Sequence, residues 1–586
     1  MPNPSTELGP SPTQPDFTPN QIRGQPEGLA SAGECSSVIR RASTAFALAF
    51  VVLGGALPRL NHIDKSIWSA EAWVANSVLA DSSWHMFRYS TWLQTTPPLF
   101  LLLERGTVRV AGISVASFRA IPFGLAILSL VLMAWLSRQI LRPAFAVLCT
   151  TLMALSPPAV VFSKEVKQYS GDVAASCLLL LVLWTYLQRP DHGRFVLTLI
   201  AFAAALFLSY PAVIFVPVAV IALGLAHPDG NFSPNESWKV RLRRSAAIGV
   251  FALAISSVNY WCFVRPNTSR LLTDYWSGGY PRFEYLSGVL RFYIEYFLGM
   301  FVCFYLPIGT KNILRSMLSS LGYIPMLLIT VGCAVAFWTA ITALGRNKRH
   351  LVALALCLAP LCALFLLNLV RLYPVNSRRL TLFMLPCMAL CAGIMLQSFW
   401  TALTARIRPR LAACAETLII AGCIVAVFVL GVRSDNWSNY WFEDEDTAGA
   451  LVYIKTHMVP EDTVYVHASM EESAKLYFKI LHWKPATLRY GNTGWGCCKR
   501  TPEPRPTNVS SIRDYAVRDF EQVTQNRTPG RLWLVFTGRD DDWPSHVKEE
   551  PQMIAGYLDG IGCRKELEKR FANEIVDEFV CGPNSD

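Results

Sequence analysis

Arginine and lysine crowd into every second gap between the long apolar stretches of this chain, and no other feature restricts its fold as much. Arg40 and Arg41 precede the first stretch; Arg138 and Arg142 occupy one gap, Arg189 and Arg194 the next such gap. Lys239, Arg241, Arg243 and Arg244 follow, then Arg346, Lys348 and Arg349, and last Arg406, Arg408 and Arg410. Short cytoplasmic loops collect such charge, so the alternation gives topology and orientation together. It describes an α-helical polytopic membrane protein with a cytoplasmic N-terminus, whose chemistry belongs in the intervening, outward gaps. A content of 52% hydrophobic and 16% charged residues agrees. At roughly 20 apolar residues per span, about eleven spans are expected, from near Ser43–Leu60 to near Leu411–Val432. An odd number places the C-terminus outside. The segment Arg40–Leu60 has the positive flank of a signal peptide, but its long apolar part and the lack of a small-residue cleavage site read as a retained anchor.

Three regions follow. Residues 1–39 are rich in Pro, Ser, Gly and Gln and read as a disordered cytoplasmic tail. Residues 40–432 form the transmembrane domain. Residues 433–586 read as an extracytoplasmic soluble α/β domain. The last region holds 19 basic and 25 acidic residues, a net of −6, which leaves +17 of the total +11 on the rest. That positive charge is split among short loops, where it fixes orientation and holds anionic lipids; it forms no stripe for nucleic acid. No Walker motif and no GxGxxG is present, so an ATP-driven transporter or a dinucleotide enzyme has no support.

In the first outward segment, about residues 61–117, Ala70–Leu79 and Pro98–Val110 are amphipathic at helical spacing and read as helices on the outer membrane surface. A second, about residues 265–315, carries Trp276, Tyr280, Phe283, Tyr285, Tyr293 and Tyr296, which read as an interfacial belt or a surface helix over a cavity. In the C-terminal region, Thr447–His457 and Glu471–Ile480 suit helices, Thr463–His467 and Arg531–Phe536 suit strands, and Glu566–Phe571 with Glu574–Val580 suit a hairpin around Ala572-Asn573. Its cysteines are Cys497, Cys498, Cys563 and Cys581. An oxidising compartment permits three pairings. Adjacent cysteines make a strained pair, so bridges from Cys497 and Cys498 to Cys563 and Cys581 are the favoured arrangement, with a zinc site as the alternative.

Outward acids are few: Asp64, Glu71, Asp81, Glu104, Glu165, Asp172, Asp274, Glu284 and Glu295. Carboxylates beside a membrane are costly and mark functional sites by default. Glu71 follows the first span within Ser66-Ile67-Trp68-Ser69-Ala70-Glu71-Ala72-Trp73. A very short loop gathers Lys164, Glu165, Lys167, Gln168, Tyr169 and Asp172. A third outward loop carries Arg371, Tyr373, Arg378 and Arg379, against the positive-inside bias. Guanidinium groups there call for an anionic partner, either lipid headgroups or the phosphate of a lipid substrate.

At these residues the chain resembles the polytopic glycosyltransferases of the GT-C fold, in the family 39-like group of protein O-mannosyltransferases and the lipid A aminoarabinose transferase. Trp68-Ser69-Ala70-Glu71-Ala72 resembles the group's Trp-x-Asp-Glu-Ala signature. Thr96-Pro97-Pro98-Leu99-Phe100, Ser117–Pro122, Ser163–Ser170 and Tyr373–Pro386 resemble its later segments, in order. The family's first acid, its usual candidate base, is Ala70 here. The resemblance implies a sugar donor on polyprenyl phosphate, entering from the outer leaflet of the cytoplasmic (inner) membrane, and an acceptor hydroxyl on a glycan, lipid or protein that attacks with inversion. It makes Glu71 the catalytic base, with Asp64 as its nearby substitute, and Glu165 its assistant. It gives Lys164, Lys167, Arg378 and Arg379 to phosphate contact, and Tyr169, Asp172 and Tyr373 to the rest of the substrate site. No cofactor is implied with certainty; a divalent metal is compatible with the chemistry, though no ligand spacing demands one. The alternatives are a flippase or exporter of lipid-linked glycans, whose polar groups belong near mid-span, and an oligosaccharide ligase.

The topology is testable directly. Reporter fusions at Asn347 and Ser585 are expected to report opposite sides of the membrane; the same side for both contradicts the topology.

Overall fold

The computed structural model describes residues 27–88, 95–225, 238–268, 277–281, 283, 285, 287–289, 292–293, 348–375, 378–405, 408–432, 445–467, 470–491, 530–537, 545–572 and 574–582. By internal contacts the chain divides within its first helix. Met1–Phe46 form a small unit, described only from Glu27 onward and helical there; Ala47–Asp586 form the large one, and all contacts below lie within it.

The helices α1 (Glu27–Leu60), α2 (Ser69–Val78), α3 (Ser83–Phe87), α4 (Pro98–Ala111) and α5 (Val115–Ile140) come first. Then follow α6 (Pro143–Ala154), α7 (Pro157–Val161), α8 (Tyr169–Gln188), α9 (His192–Leu208), α10 (Phe215–Leu225) and α11 (Trp238–Asn259). After the next described stretch come α12 (Lys348–Leu369), α13 (Arg378–Thr381), α14 (Leu385–Thr404) and α15 (Pro409–Val432). Among the described residues, 7 helices are long and apolar enough to span a membrane, or 8 if the bent pair α6 and α7 is one span. The expected count of about eleven drew also on residues 301–347, which lie outside the described residues. Most of the aromatic segment near residues 265–315 lies outside them too. Of the expected tail of residues 1–39, residues 27–39 belong to α1, and residues 1–26 lie outside the described residues.

Two features of the bundle place the site. A break at Leu155-Ser156, before Pro157 and Pro158, bends α7 by 61° from α6, since proline supplies no amide to continue the ladder. The carbonyls freed at the end of α6 are taken by buried Arg59, whose Nη1 donates to Ala154 O at 2.8 Å and Nη2 to Met153 O at 3.5 Å; Nη1 also donates to Gly55 O of its own helix at 2.6 Å. Secondly, α2 and α4 form where the amphipathic spacing puts them, but α2 is not a surface helix. Glu71, Ala72, Val74, Ala75, Asn76, Ser77 and Val78 are buried, because the C-terminal domain covers them.

That domain is a five-stranded sheet with helices, in the order β2-β1-β3-β5-β4. It is built from α16 (Thr447–His457), β1 (Thr463–Val466), α17 (Glu471–Ile480), β2 (Thr487–Tyr490), β3 (Gly530–Thr537), α18 (Ser545–Gly560), β4 (Cys563–Phe571) and β5 (Glu574–Cys581). β1 pairs parallel with β2 and β3; β5 pairs antiparallel with β3 and β4. Asp446 caps α16, accepting from Gly449 N at 2.9 Å. Asp462 receives Trp533 Nε1 at 2.9 Å and pairs with Arg531 at 3.1 Å, tying β3 to the turn before β1. One apolar core joins this domain to the bundle: Ile67, Val74, Val78, Phe100 and Phe118 pack in the same cluster as Leu451, Ile454, Val464, Tyr477 and Phe478.

The disulfide joins Cys563 to Cys581, opposite each other at the open end of the β4–β5 hairpin. This corrects the favoured cross-pairing to Cys497 and Cys498, which lie outside the described residues. Hairpin register sets the two sulfurs adjacent, and sequence spacing carries no register. Replacing Cys581 by Ser is expected to lower unfolding free energy by about 2–5 kcal/mol, read by denaturant melts of the purified protein; unchanged stability contradicts a closed bridge.

Candidate active site and its structural relatives

Three segments far apart in sequence meet at one buried carboxylate. The turn before α2 presents Glu71 one helical turn in, where its Oε2 accepts Trp68 N–H at 3.3 Å, the reaching-back half of a capping box. Arg119, on the first turns of α5, donates Nη2 to the same oxygen at 3.2 Å. Arg119 Nη1 also donates to Ile63 O and Lys65 O at 2.7 and 2.8 Å, and Nη2 to Ser66 O at 3.2 Å. The other oxygen of Glu71, Oε1, accepts Val166 N–H at 2.7 Å. Glu71 is 1% exposed. A carboxylate so buried needs such partners to stay charged.

The Val166 amide belongs to the short loop between α7 and α8, so Glu71 fixes the peptide that follows Glu165. Lys164 ties the same loop to the end of α1, donating Nζ to Asn61 O at 2.7 Å. Glu165 is 4% exposed and its Oε2 has no hydrogen-bond partner among the described residues. Burial, helped by the charge of Glu71, lifts its carboxyl to about 8; Arg379, Lys167 and Arg119 pull it back. Thus the structure brings together Glu71, Glu165, Lys164, Lys167 and Arg379. Lys167 is half-buried, its Nζ 6.0 Å from the Trp73 ring centre.

The remaining candidates divide. Tyr169 is buried edge-on against Phe162, with ring centres 5.0 Å apart. Asp172, one turn into α8, is buried and its Oδ1 lacks a partner among the described residues. Tyr373 donates its hydroxyl to Leu380 O at 2.7 Å and lies within electrostatic reach of Asp172. Asp64 is exposed in the turn after α1, outside this group. Arg378 begins α13; its side chain lies outside the described residues.

Three further groups belong to the site and escaped selection from sequence. Arg119 was visible only as part of a motif. Glu104 on α4 is wholly buried with both carboxyl oxygens unpartnered among the described residues, and burial and the charge of Glu71 hold it well above the usual carboxylate range. An acid on the apolar side of an amphipathic helix was its available signal. Glu445, from the C-terminal domain, accepts Ser69 N–H at 2.8 Å and the Ser69 hydroxyl at 3.2 Å. Burial lifts its carboxyl to about 7, opposed by the Ser69 bonds; nothing local in the sequence marks it. Among the described residues no three His, Cys, Asp or Glu side chains are placed to hold a metal ion.

The fold aligns with solved structures. ArnT from Cupriavidus metallidurans in the apo state aligns with a TM-score of 0.50 at 14% identity, over 93% of this chain and 100% of that one. The chain has a GT-C-like fold. The same ArnT bound to undecaprenyl phosphate aligns at 0.45, with 13% identity over 92% of this chain and 100% of that one. The archaeal oligosaccharyltransferase AglB from Archaeoglobus fulgidus aligns at 0.44, with 13% identity over 84% of this chain and 69% of that one. No family model and no curated protein matches the sequence.

The Glu71–Arg119 pair makes a stability prediction. Arg119→Met strands a buried charge and is expected to destabilise by about 3–5 kcal/mol, whereas Glu71→Gln with Arg119→Met recovers part of that loss. Thermal melts of detergent-solubilised protein measure both. A double variant less stable than Arg119→Met alone contradicts the pair.

Proposed function

We propose that this protein is a membrane glycosyltransferase that moves a sugar from a polyprenyl-phosphate donor to an acceptor hydroxyl at the outer face of the cytoplasmic membrane, inverting the anomeric carbon. One observation carries the reading. Buried Glu165, its carboxyl lifted to about 8, lies among the charges of Lys167, Arg379 and Arg119, within a GT-C-like fold. The chemistry needs those two parts side by side: a carboxylate for a proton and cations for a leaving phosphate.

In this mechanism the acceptor oxygen attacks the anomeric carbon as its proton passes to a Glu165 oxygen. The bond from that carbon to the phosphate oxygen breaks, and the phosphate departs with the electron pair toward Lys167 and Arg379, with Arg378 on the same short helix. Glu71 is the natural base by sequence position. Its three accepted bonds favour a different role in this chain, holding Glu165 in place while Arg119 pairs with Glu71. Lys164 holds the loop, and Tyr169, Asp172 and Tyr373 line the acceptor side. The bent pair α6–α7 beside the site is the observation that favours a lipid-linked glycan carrier instead. A carrier moves its cargo without forming a new glycosidic bond.

Turnover by purified protein with a polyprenyl-phosphate sugar and an acceptor decides the matter. Glu165→Gln is expected to lower turnover about 10²–10⁴-fold while leaving the fold intact. The base acts when deprotonated, so wild-type turnover should rise with pH through a midpoint near 8, and Glu165→Gln should lose that limb. Full turnover in Glu165→Gln overturns its role as base, and transport without a transferred sugar supports the carrier.

A further inference from the structure

Three successive backbone amides in the turn before α2 are each held by a different acceptor. Ile67 N–H donates to the Tyr477 hydroxyl at 2.5 Å, Trp68 N–H to Glu71 Oε2 at 3.3 Å, and Ser69 N–H to Glu445 Oε2 at 2.8 Å. The outer two acceptors come from the C-terminal domain, roughly 400 residues on in sequence. The Ser66 hydroxyl adds to the grip, donating to Tyr477 Oη at 3.0 Å and accepting Ala448 N–H at 3.3 Å. About two turns along α2, Asn76 Nδ2 donates to the backbone oxygen and a carboxylate oxygen of Glu472 at 2.9 and 2.8 Å. The middle acceptor, Glu71, is the group that reaches across to Val166.

We propose that the C-terminal domain is a positioning element of the active site, acting through Tyr477 and Glu445. They hold the amides on both sides of Trp68 and so set the start of α2. That start sets where Glu71 points, and Glu71 sets the peptide after Glu165. The domain thereby reaches Glu165 without touching it. The catalytic half of this inference rests on the function proposed above; the mechanical half, from Tyr477 and Glu445 to Val166, does not.

Side-chain hydrogen bonds grip better than apolar packing for this task, because they fix direction as well as contact. The neighbouring apolar cluster of Val74, Val78, Tyr477 and Phe478 would keep the domain docked if either hydrogen bond were lost. Tyr477→Phe removes only the acceptor oxygen. Glu445→Ala removes both Ser69 bonds, and Glu445→Gln keeps an oxygen for Ser69 N–H.

Hydrogen exchange by mass spectrometry on the full-length protein reads the mechanical half. In Tyr477→Phe and Glu445→Ala, exchange is expected to quicken about tenfold in residues 66–71 and in the distant peptide 162–168, whose Val166 amide is bonded to Glu71. Exchange in β3 should stay at the wild-type rate. The catalytic half is read as turnover per folded molecule: kcat should fall about tenfold with the donor KM unchanged, and Glu445→Gln should recover most of the loss. Wild-type exchange at residues 162–168 in both variants overturns the proposal. So does quickened exchange with wild-type kcat. If the wild type transfers no sugar from any polyprenyl-phosphate donor, the functional reading fails by itself, and the exchange result alone upholds or overturns the grip.

Discussion

A carboxylate removed from water must either find donors or take up a proton, and Glu71 finds donors in its own turn and in two segments that the chain brings to it only by folding. Arg119 comes from α5, the Val166 amide from the loop before α8, and the Trp68 amide from its own turn. Each bond fixes a segment that apolar packing alone would leave free to slide. Arg119 extends the constraint by holding three carbonyls of the turn at residues 63–66. The short polar loops at this end of the bundle therefore take one arrangement, supported from within the bundle by Arg59 at the break between α6 and α7.

Burial decides the state of the carboxyls around Glu71, and that neighbouring carboxylate adds to it. Glu104, Glu165 and Glu445 all lie within reach of its charge, and burial has already made ionisation costly for each. Glu104, with no donor among the described residues, is held well above the usual carboxylate range by burial. Glu445 is restrained by two bonds from Ser69. Glu165 is restrained by the surrounding cations, which leaves it able to change protonation near neutrality, as proton transfer requires.

Much of this was legible in the chain itself. The amphipathic spacing placed α2 and α4 to within a residue or two, and the period-two patterns placed β1, β3 and the β4–β5 hairpin. Clustering of Glu165 with Lys164 and Lys167 in a loop too short to disperse them marked the segment that the fold brings against Glu71. What escaped depends on long-range contacts. Tyr477 and Glu445 look like ordinary residues of a soluble domain until the domain docks. Arg119 looks like a snorkelling cation at a span end. The short strand β2 and the helix α18 carry weak periodicity, and the pairing of Cys563 with Cys581 is a matter of strand register. α2 was expected at the membrane surface because an amphipathic helix shows its apolar face but not what covers the opposite one.

In the proposed function, Glu71 and Arg119 assemble loops into a site in which Glu165 meets the sugar and the cations meet the phosphate. The most direct measurement is a structure of the protein with a non-transferable polyprenyl-phosphate sugar analogue bound. The expected result places the phosphate against Lys167 and Arg379, with a Glu165 oxygen on the opposite side of the anomeric carbon, about one hydrogen-bond length from where an acceptor hydroxyl would sit. A donor whose anomeric carbon lies out of reach of Glu165, or whose phosphate is held by other groups, would contradict it.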